Sequence, residues 1–529
     1  TDVFTGKDLF YDFLEYNTTK PKTFSFNSTS DVFNMTKHYV DTSRKQVQNG
    51  DVNIIGVYDK STDTYSTING TAARYSLGIQ MNAGTTLTVK NVRFYRTVSA
   101  SSGSGDPKQA SFIIQSGANA TFENVYFDTP MNSAEHMLIG NFGTIDKITG
   151  RFSLTNSGYP IWNYGTNALI KYISIYVDKK SSYYASIQNQ NGKIGYVDKS
   201  YKVSDENYYK GGIVDSYFTK HGVIYNPRII FNYGGNACLY NMDNVNIINN
   251  WSWGPANVQA VGMYNSGKVY NTNDILFYGN YGYGSTDLSY AQIFGIGLYN
   301  AGSFYMGLKN TDFINNYAKL RANGVFGLGI YNTGTIGVAG YNNKSIDRNT
   351  FIGNYSIYSP TPSYFAKGIA IYNTGNIAYG ITNSNFIGNY IESVAATVEN
   401  SNLDIQGGAI YNIGTLPTIS NTHFYNNYLN SIEGSAFGGA IWTNKALTTS
   451  GTSIPKITDT ITIAGKHDGI TSDTNKYTTF INNYTMASSG QSYGGAIYTE
   501  NALNIANTFF LGNYVSRNTT LVDKTAPIG

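Results

Sequence analysis

Two short phrases alternate along the second half of the chain, and their regular return constrains the fold more than any other feature. The first phrase places an aromatic residue, in most copies Tyr followed by Asn, after a small residue and an aliphatic one, as in GGAIYNIG from residue 407. The second phrase has the form Phe-x-x-Asn-Tyr, as in FYNNY from residue 424. Repetition of this kind is typical of solenoids, in which each repeat packs against its neighbours.

The spacing of the phrases indicates the class of solenoid. The first phrase recurs at steps of 35, 32, 41, 39, 31 and 56 residues, and the second alternates with it from about residue 247 to the end. Its aromatic residues are Tyr264, Tyr299, Tyr331, Tyr372, Tyr411, Trp442 and Tyr498. Each unit contains about three strand-sized pieces separated by Gly and Asn turns. We therefore predict an all-β fold, a right-handed parallel β-helix, whose coils stack at about 4.8 Å.

Side-chain alternation predicts which residues of each phrase face the core. The aliphatic residue before the aromatic one, such as Ile410, points inward, whereas the Tyr and the small residue before the aliphatic point outward. The Phe of the second phrase, such as Phe424, stacks in the core, where each buried ring contributes about 1.5 to 3 kcal/mol. The Asn after Tyr turns the corner, since Asn tolerates left-handed backbone geometry, and its stacked copies form an amide ladder.

We expect three regions along the chain. Residues 1–50 form an N-terminal cap and the first coil, and the spacing of apolar residues in TGKDLFYDFLEYN favours an amphipathic helix that closes the core. Residues 51–246 form irregular coils, and residues 247–529 form the regular ones. The regular region includes an extended unit at 445–476, which is either an additional coil, as its alternation favours, or a loop.

Charge and cysteine content exclude some classes of function. Only 13% of the 529 residues are charged, the net charge is +3, and no Lys/Arg cluster follows a phosphate backbone, so nucleic acid is not an expected partner. No apolar run of 18 residues predicts a membrane segment. The single cysteine, Cys238, stands in an apolar stretch and is expected to be a buried hydrophobic residue, and so few thiols suit a secreted protein.

The phrases resemble a known family. GGAI at 407, 438 and 494, paired with FYNN at 424, FINN at 480 and FLGN at 510, resembles the polymorphic outer-membrane-protein repeats of bacterial autotransporter passengers. It is also similar to the β-helical adhesin-like surface proteins of methanogenic archaea. The resemblance covers about residues 247–515, although the earlier copies read GIGL, GLGI and GIAI. It implies a β-helical protein that is secreted and displayed on the cell surface, and it names no ligand.

The catalytic patterns of β-helical polysaccharide hydrolases and lyases are not found in the sequence. Asn310-Thr311-Asp312 spells the NTD of pectinases, but it precedes a second phrase, where other copies read NSN, RNT and NTH, so we interpret it as part of the repeat. There is no DD pair, KHG at 220–222 is not followed by RIK, and the five His are scattered. Two groups of acids lack the spacing of a calcium cage, namely Asp205, Glu206 and Asp215, and Asp459, Asp468 and Asp473. No catalytic residue, metal site or cofactor is predicted.

The remaining candidate site is the outward aromatic row of the first phrase. Stacked rings present a face for glycans or partner proteins, although packing alone also enriches strands in aromatic residues. We therefore expect a non-catalytic, extracellular adhesin that attaches to glycans or proteins of other cells and that holds variable loops, such as 282–293 and 391–405, away from the cell. Two alternatives stay open: a structural subunit of a filament or surface coat that self-associates, and a polysaccharide lyase or hydrolase with a site in residues 150–245.

Overall fold

The chain forms two compact units of stacked strands, seen in a computed structural model. The first unit comprises Thr1–Asp198, Tyr209–Val223 and Ile229–Val245, and the second comprises Lys199–Tyr208, Ile224–Arg228 and Asn246–Gly529. The described residues are 2–5, 13, 16, 18–34, 45–47, 50–70, 78–95, 99–100, 110–129, 136–154, 159–177, 185–223, 227–254, 257–284, 292–319, 324–358, 365–393, 404–432, 434–455, 476–488 and 490–517. Nearly all of their regular structure is β-strand in stacked parallel sheets, so the predicted all-β parallel β-helix is confirmed.

The first unit contains two main sheets. One sheet consists of Asp2–Thr5, Lys22–Ser25, Val32–Asn34, Asp51–Ile55, Tyr58–Asp59, Thr64–Asn69, Thr86–Lys90, Val92–Tyr95, Asn119–Thr129, Thr144–Leu154, Thr166–Asn167, Leu169–Val177, Lys193–Ile194 and Gly212–Thr219, together with Cys238–Ile248, which contains the boundary between the units. The other consists of Lys45–Val47, Ile79–Met81, Ser99–Ala100, Phe112–Ile114, His136–Asn141, Tyr159–Asn163, Ile187–Gln190 and Ile230–Tyr233. Shorter elements are the strands Tyr196–Val197, Tyr209–Lys210 and Gly222–Val223.

The second unit repeats its strands coil by coil, and five sets of equivalent strands stack in register. The first-phrase sheet consists of Met263–Asn265, Leu298–Asn300, Ile330–Asn332, Ile371–Asn373, Ile410–Asn412, Ile441–Thr443 and Ile497–Thr499. The second-phrase sheet contains Lys268–Tyr278, Ser303–Phe304, Thr311–Ile314, Thr335–Ile336, Thr350–Ile352, Asn376–Ile377, Asn385–Ile387, His423–Tyr425, Thr478–Ile481 and Thr508–Leu511. The tyrosine sheet consists of Trp251–Gly254, Tyr281–Gly284, Tyr317–Lys319, Tyr355–Tyr358, Tyr390–Ser393, Tyr428–Ser431, Tyr484–Ala487 and Tyr514–Arg517.

Two further sets complete each coil. The entry sheet, which precedes the first phrase, consists of Val258–Gln259, Gln292–Phe294, Gly324–Phe326, Phe365–Lys367, Ile405–Gln406, Ala436–Phe437 and Ser492–Tyr493. The corner sheet, which precedes the second phrase, consists of Leu308–Lys309, Ile346–Asp347, Ile381–Thr382, Thr418–Ser420, Leu447–Ser450 and Leu503–Ile505. A 3-10 turn, Glu206–Tyr208, also belongs to this unit. A complete coil such as residues 365–393 therefore contains six short strands, whereas the sequence predicts about three.

The extended unit does not add a coil to the stack. Thr478–Ile481 pairs directly with His423–Tyr425 of the coil before and with Thr508–Leu511 of the coil after. Leu447–Ser450 is likewise paired with the coils on both sides of it. The strands that flank residues 456–475 thus belong to one coil, and the favoured prediction of an additional coil is wrong. Residues 456–475 themselves lie outside the described residues.

Stacked phenylalanines fill the centre of the second unit as predicted. The rings of the second phrase follow one another at centroid distances of 4.6 to 4.9 Å with interplanar angles of at most 8°, from Phe277 through Phe313, Phe351, Phe386, Phe424 and Phe480 to Phe510. The aliphatic residues before the aromatic of the first phrase are buried in the same interior from Met263 to Ile441. Dispersion and apolar burial along these rows provide the main stabilisation of the stack.

The small residue of the first phrase faces the core, contrary to the prediction. A Cβ atom placed on Gly262 would lie 2.7 Å from the Phe277 ring, and one on Gly297 would lie 2.8 Å from the Phe313 ring. Ala370 in the equivalent position is fully buried. The backbone bends between the entry strand and the first-phrase strand, so period-two alternation does not extend to this residue. Only Gly and Ala suit this position, because the phenylalanine stack and the carbonyl oxygen of the equivalent residue in the next coil occupy the space beside it.

Left-handed backbone geometry occurs at a different asparagine from the one predicted. The third residue of the second phrase has positive φ in every copy, as in Asn315 (53°), Gly353 (60°) and Asn426 (54°). The Asn after Tyr in the first phrase does not have positive φ. The alternation of Asn and Gly at the third position follows from this geometry, because these two residues tolerate it best.

A buried amide ladder, which the sequence predicts for the first phrase, exists in both phrases. The first ladder runs through Asn265, Asn300, Asn332, Asn373 and Asn412 to Thr443, and each Nδ2 donates to the side-chain oxygen in the next coil. The second ladder runs through Asn250, Asn280, Asn316, Asn354, Asn389, Asn427, Asn483 and Asn513. In the first unit, Asn141, Asn163, Asn189 and Asn232 form a third ladder.

Each interior member of the second ladder uses its full hydrogen-bonding capacity. Asn354 Nδ2 donates to the Phe313 carbonyl and to Asn389 Oδ1, both at 2.8 Å. Asn354 Oδ1 accepts from the backbone N–H and the Nδ2 of Asn316, both at 3.0 Å. An amide offers two donors and two acceptor positions, so all four are paired, and no other side chain of this length can replace it.

Most of the predicted N-terminal helix lies outside the described residues, namely residues 6–12, 14, 15 and 17. Phe13 is fully buried, and its ring centroid lies 5.7 Å from those of Phe4 and Phe24. Lys22 Nζ donates to the carbonyl oxygens of Phe13 and Tyr16. These contacts attach Phe13 to the first strands of the chain.

We expect Asn354→Asp to destabilise the second unit by about 3 kcal/mol or more, because a buried carboxylate would lose two donated hydrogen bonds and oppose two acceptor oxygens. Urea unfolding followed by circular dichroism measures the change. Asn426→Asp, the same substitution at an exposed residue of a later second phrase, is the control and should remain within about 0.5 kcal/mol of the parent protein. Equal effects of the two substitutions would contradict a structural role for the ladder.

Ala260 provides a second test, because it has a φ of 65° at a position where the six later copies have Gly. Ala260→Gly should stabilise the protein by about 0.5 to 1 kcal/mol by relieving this geometry. Ala366→Gly, in a regular strand, should instead destabilise it by about 0.5 to 1 kcal/mol. Thermal unfolding compares the two variants, and a loss of stability in both would refute the argument.

Candidate binding surfaces

The predicted aromatic row of the first phrase forms a continuous stack on the first-phrase sheet. Ring centroids are 4.8 Å apart from Tyr264 to Tyr299 and from Tyr299 to Tyr331, 5.1 Å from Tyr331 to Tyr372, and 4.9 Å from Tyr372 to Tyr411. Trp442 continues the stack 4.4 Å from Tyr411, and Tyr498 follows at 6.5 Å. The structure therefore brings all seven predicted site residues into one row.

The row is less exposed than the sequence predicts. Tyr411 and Trp442 are only 6% and 4% exposed, so the prediction of outward exposure is wrong for these two residues. The other five rings are partly exposed. Aromatic residues at the ends of the entry strands pack edge to face against rings of the next coil, Phe294 against Tyr331 at 5.0 Å and Phe326 against Tyr372 at 5.2 Å. Sequence reasoning missed this cover because it comes from the preceding coil.

We call Tyr299, Tyr331 and Tyr372 with Phe294 and Phe326 the aromatic strip. Burial raises the pKa of each of the three tyrosines to about 12, so their hydroxyls stay protonated at neutral pH. Among the described residues, these hydroxyls form no hydrogen bond with protein groups, and they are therefore available to solvent or a ligand. The strip thus combines a fixed apolar body with unpaired polar ends, as residues at protein interfaces often do.

Two cations lie beside the aromatic row. The Arg228 guanidinium lies 4.5 Å from the Tyr264 centroid, and the Lys367 ammonium lies 4.9 Å from the Tyr411 centroid. Burial lowers the pKa of Lys367, and the carboxylate of Asp404 partly opposes this effect. Arg228 also donates to the side-chain oxygen of Gln259 at 2.8 Å. These contacts place positive charge beside the row, and the carboxylates of Asp404 near Lys367 and of Glu500 near Tyr411 place negative charge there.

A second aromatic row, which sequence reasoning did not identify as a surface, lies on the tyrosine sheet. This second tyrosine row consists of Trp251, Tyr281, Tyr317, Tyr355, Tyr390, Tyr428, Tyr484 and Tyr514. From Tyr281 onward the centroids are 4.7 to 5.2 Å apart and the rings are within 7° of parallel. The signal was present in the sequence, since the last residue of Phe-x-x-Asn-Tyr follows a buried Asn and therefore faces outward.

The first unit carries a cluster of Arg and Tyr side chains on its larger sheet. The Arg151 guanidinium lies 4.1 Å from the Tyr126 centroid and pairs with Asp63 at 2.8 Å. Arg93 lies 5.6 Å from the same ring and pairs with Asp128. The hydrogen bond from Arg151 lowers the pKa of Asp63 below its usual value. Each guanidinium already has a carboxylate partner, so the cluster mainly joins successive strands of the sheet to one another and to the turn at Asp63.

The residues that resemble pectinase motifs occupy buried positions. Asp312 is fully buried and stands in register with Thr350, which in turn pairs with Asn385 and through it with His423, so it fills a repeat position as predicted. His221 of KHG is also fully buried, and its Nε2 lies 2.8 Å from Ser186 Oγ, which is buried as well. A substrate cannot reach either residue in this conformation.

The acidic groups are engaged in local contacts. Glu206 forms an ion pair with Lys309, and Asp215 pairs with Lys171 at 3.7 Å. Asp205 accepts a hydrogen bond from the backbone of Asn207 at 2.8 Å. Asp459, Asp468 and Asp473 lie outside the described residues. Within the described part of the chain, no group of three or more His, Cys, Asp or Glu residues is arranged to hold a metal ion.

Asp347 is a buried carboxylate that the sequence did not single out. Burial alone would raise its pKa, but hydrogen bonds from Lys344, Thr382 and Asn383 lower the pKa below its usual value. Arg348 Nε donates to the same carboxylate at 3.1 Å. Asp347 therefore joins two successive corner strands, and its charge is neutralised locally.

Comparison with known proteins gives no match: no family model, no curated protein and no solved structure is significantly similar to the chain. A separate feature of the described residues is that they contain no helix with the length and apolar character needed to span a membrane. Cys238 is buried, as expected.

The pKa values of the second tyrosine row predict a loss of stability at high pH. Burial raises the pKa of Tyr317, Tyr390 and Tyr484 to about 12, from 10.0 in an unperturbed tyrosine. Above pH 10 these tyrosines lose their protons in the unfolded chain but keep them in the folded one. The stability that they contribute is therefore complete below about pH 10 and is lost as the pH rises to about 12. Replacing all three residues by Phe should reduce the slope of unfolding free energy against pH in this window.

Urea unfolding at pH 8 to 12 measures that slope. The control replaces the exposed residues Tyr196, Tyr233 and Tyr278 by Phe, which removes the same number of phenols and should leave the slope close to that of the parent protein. An equal slope for the parent protein and for the triple variant of the second tyrosine row would refute the prediction.

Proposed function

We propose that this protein is a non-catalytic adhesin of the cell surface that attaches to glycans of other cells through the aromatic strip. The observation that carries the proposal is a row of half-buried tyrosines with fixed rings and unpaired hydroxyls, repeated from coil to coil on a scaffold of low charge. The resemblance of the GGAI and FxxN phrases to secreted β-helical passengers and adhesins supports display outside the cell. The route by which the protein reaches the cell surface, such as an autotransporter-type route across the outer membrane, is also part of the proposal.

The geometry favours hydrogen bonding over ring stacking as the mode of recognition. Each ring face in the row is covered by the next ring at about 5 Å, so sugars can reach only ring edges and hydroxyls. The hydroxyl groups recur once per coil, which suits a ligand whose own hydroxyl groups recur along a chain. Because the side chains are already ordered, binding loses little side-chain entropy. Many weak contacts in a row then give useful avidity.

A triple variant in which Tyr299, Tyr331 and Tyr372 are replaced by Phe tests the proposal. It keeps the stack but removes the hydroxyls, and we expect its affinity for glycan arrays and for whole cells to fall about tenfold or more. The matched control replaces Tyr317, Tyr355 and Tyr390 of the second tyrosine row by Phe and should bind normally.

The remaining outcomes separate the alternatives. Binding that is unchanged in the strip variant would exclude the aromatic strip as the contact surface. Absence of binding to any glycan or cell would reject the adhesin, and cleavage of a polysaccharide would instead establish the lyase or hydrolase. Ordered fibres formed by the purified protein would support the filament or coat.

A further inference from the structure

The tyrosine sheet presents a regular outward face built from two rows of side chains. We call it the ladder face. Its first row is the second tyrosine row, and its second row lies two residues further along each strand, where the described side chains are Tyr283, Lys319, Ile357, Glu392, Asn430, Met486 and Ser516. All of these side chains are partly or fully exposed, whereas the residues between the rows, such as Ala318 and Ile391, are buried.

The tyrosine rings of the ladder face form an even, flat row. Their planes lie within 3 to 7° of parallel from Tyr281 to Tyr514. The outer edges of the rings therefore present a regular surface along the sheet. A long flat face with few charges is a surface on which another flat face can pack, and proteins usually interrupt such surfaces with charge or twist.

Two charged side chains give the face a definite pattern. Lys319 lies one strand before Ile357 and Glu392 lies one strand after it, in the same row. The Lys319 ammonium lies 5.3 Å from the Tyr317 ring, and Glu392 accepts a hydrogen bond from the Tyr428 hydroxyl at 3.4 Å. Neither side chain forms an ion pair within the described residues.

The charge pattern is complementary to itself in one orientation. If two copies pack ladder face to ladder face with opposite axial directions and a two-fold axis at Ile357, Lys319 of each copy faces Glu392 of the other. If the copies run in the same direction, each charge faces its own equivalent, and like charges directly opposite one another are destabilising. A closed two-fold pair is also the commonest form of assembly in soluble proteins.

We propose that two copies of this chain associate through the ladder face as an antiparallel pair centred on Ile357. Seven strands overlap in this arrangement, from Trp251–Gly254 to Tyr484–Ala487. With strand spacing of about 4.8 Å and four residues per strand, the overlap covers about 400 Å² per copy. About 800 Å² in total is below the size of a stable interface, so the pair is weak in solution and forms where copies are concentrated, as on a cell surface.

Sedimentation of the full chain over a wide range of concentrations measures the association. Lys319→Glu should raise the dissociation constant about tenfold or more, because it places two carboxylates opposite each other at two symmetric positions. Lys319→Glu combined with Glu392→Lys restores opposite charges and should return the constant to within about threefold of the parent value. Lys445→Glu, at an exposed lysine in the bend between Ile441–Thr443 and Leu447–Ser450, is the control and should have no effect.

The orientation is tested by thiol cross-linking. Ile357→Cys brings two equivalent thiols to opposite faces about 10 Å apart, within reach of a short bismaleimide. Ser516→Cys is the control, because its equivalents would be four strands off the axis in each copy and about 38 Å apart. The native Cys238 is buried and should not react.

A protein that stays monomeric at all concentrations would overturn the proposal. So would a charge reversal with no effect, a double variant that does not recover, or cross-linking of Ser516→Cys instead of Ile357→Cys. The inference does not depend on the proposed adhesion. The variants of the ladder face and of the aromatic strip are different, so loss of pairing and loss of glycan binding can be distinguished.

Discussion

The buried asparagine side chains are the interaction on which the rest of the second unit depends. A coil must change direction several times, and each turn leaves backbone groups that no neighbouring strand pairs. The Asn of the second phrase supplies hydrogen-bond partners for such groups, since its amide pairs with the backbone of the coil before and with the equivalent Asn on either side. Unpaired polar groups in such a position would cost about 1 to 3 kcal/mol each. The ladder therefore fixes both the corner and the vertical register of the coils.

The positions of the outward rows follow from that register. Asn316 is followed directly by Tyr317 and preceded by the left-handed Asn315, so the amide ladder determines where each tyrosine leaves the core. The same reasoning applies to the first phrase, in which Asn332 directly follows Tyr331. Because every copy is fixed by the same bonds, the rings stack at nearly constant spacing. Regular surfaces in this protein are therefore a consequence of regular hydrogen bonding in its interior.

Much of this architecture could be predicted from the sequence, because the repeated phrases show which residues occupy equivalent positions in successive coils. The stacked Phe residues, the inward Ile and Leu residues, and the amide ladder of the first phrase all follow from composition and alternation. The inward position of Gly262 could not be predicted, because it depends on a bend that interrupts alternation. The burial of Tyr411 and Trp442 depends on neighbouring side chains in three dimensions. The ladder of Asn141, Asn163 and Asn189 was missed because the phrases around these residues differ too much to align.

The amide ladders also give each unit a direction. In the second ladder each Nδ2 from Asn250 to Asn483 donates one N–H to the Oδ1 of the equivalent Asn in the next coil, so the side-chain dipoles add along the stack. The first ladder, from Asn265 to Asn412, is oriented in the same way. Aligned amides of this kind create fixed partial charges of opposite sign at the two ends of a column. Parallel columns of dipoles attract when they run in opposite directions, so an antiparallel neighbour is electrostatically favoured even before any surface charge is considered.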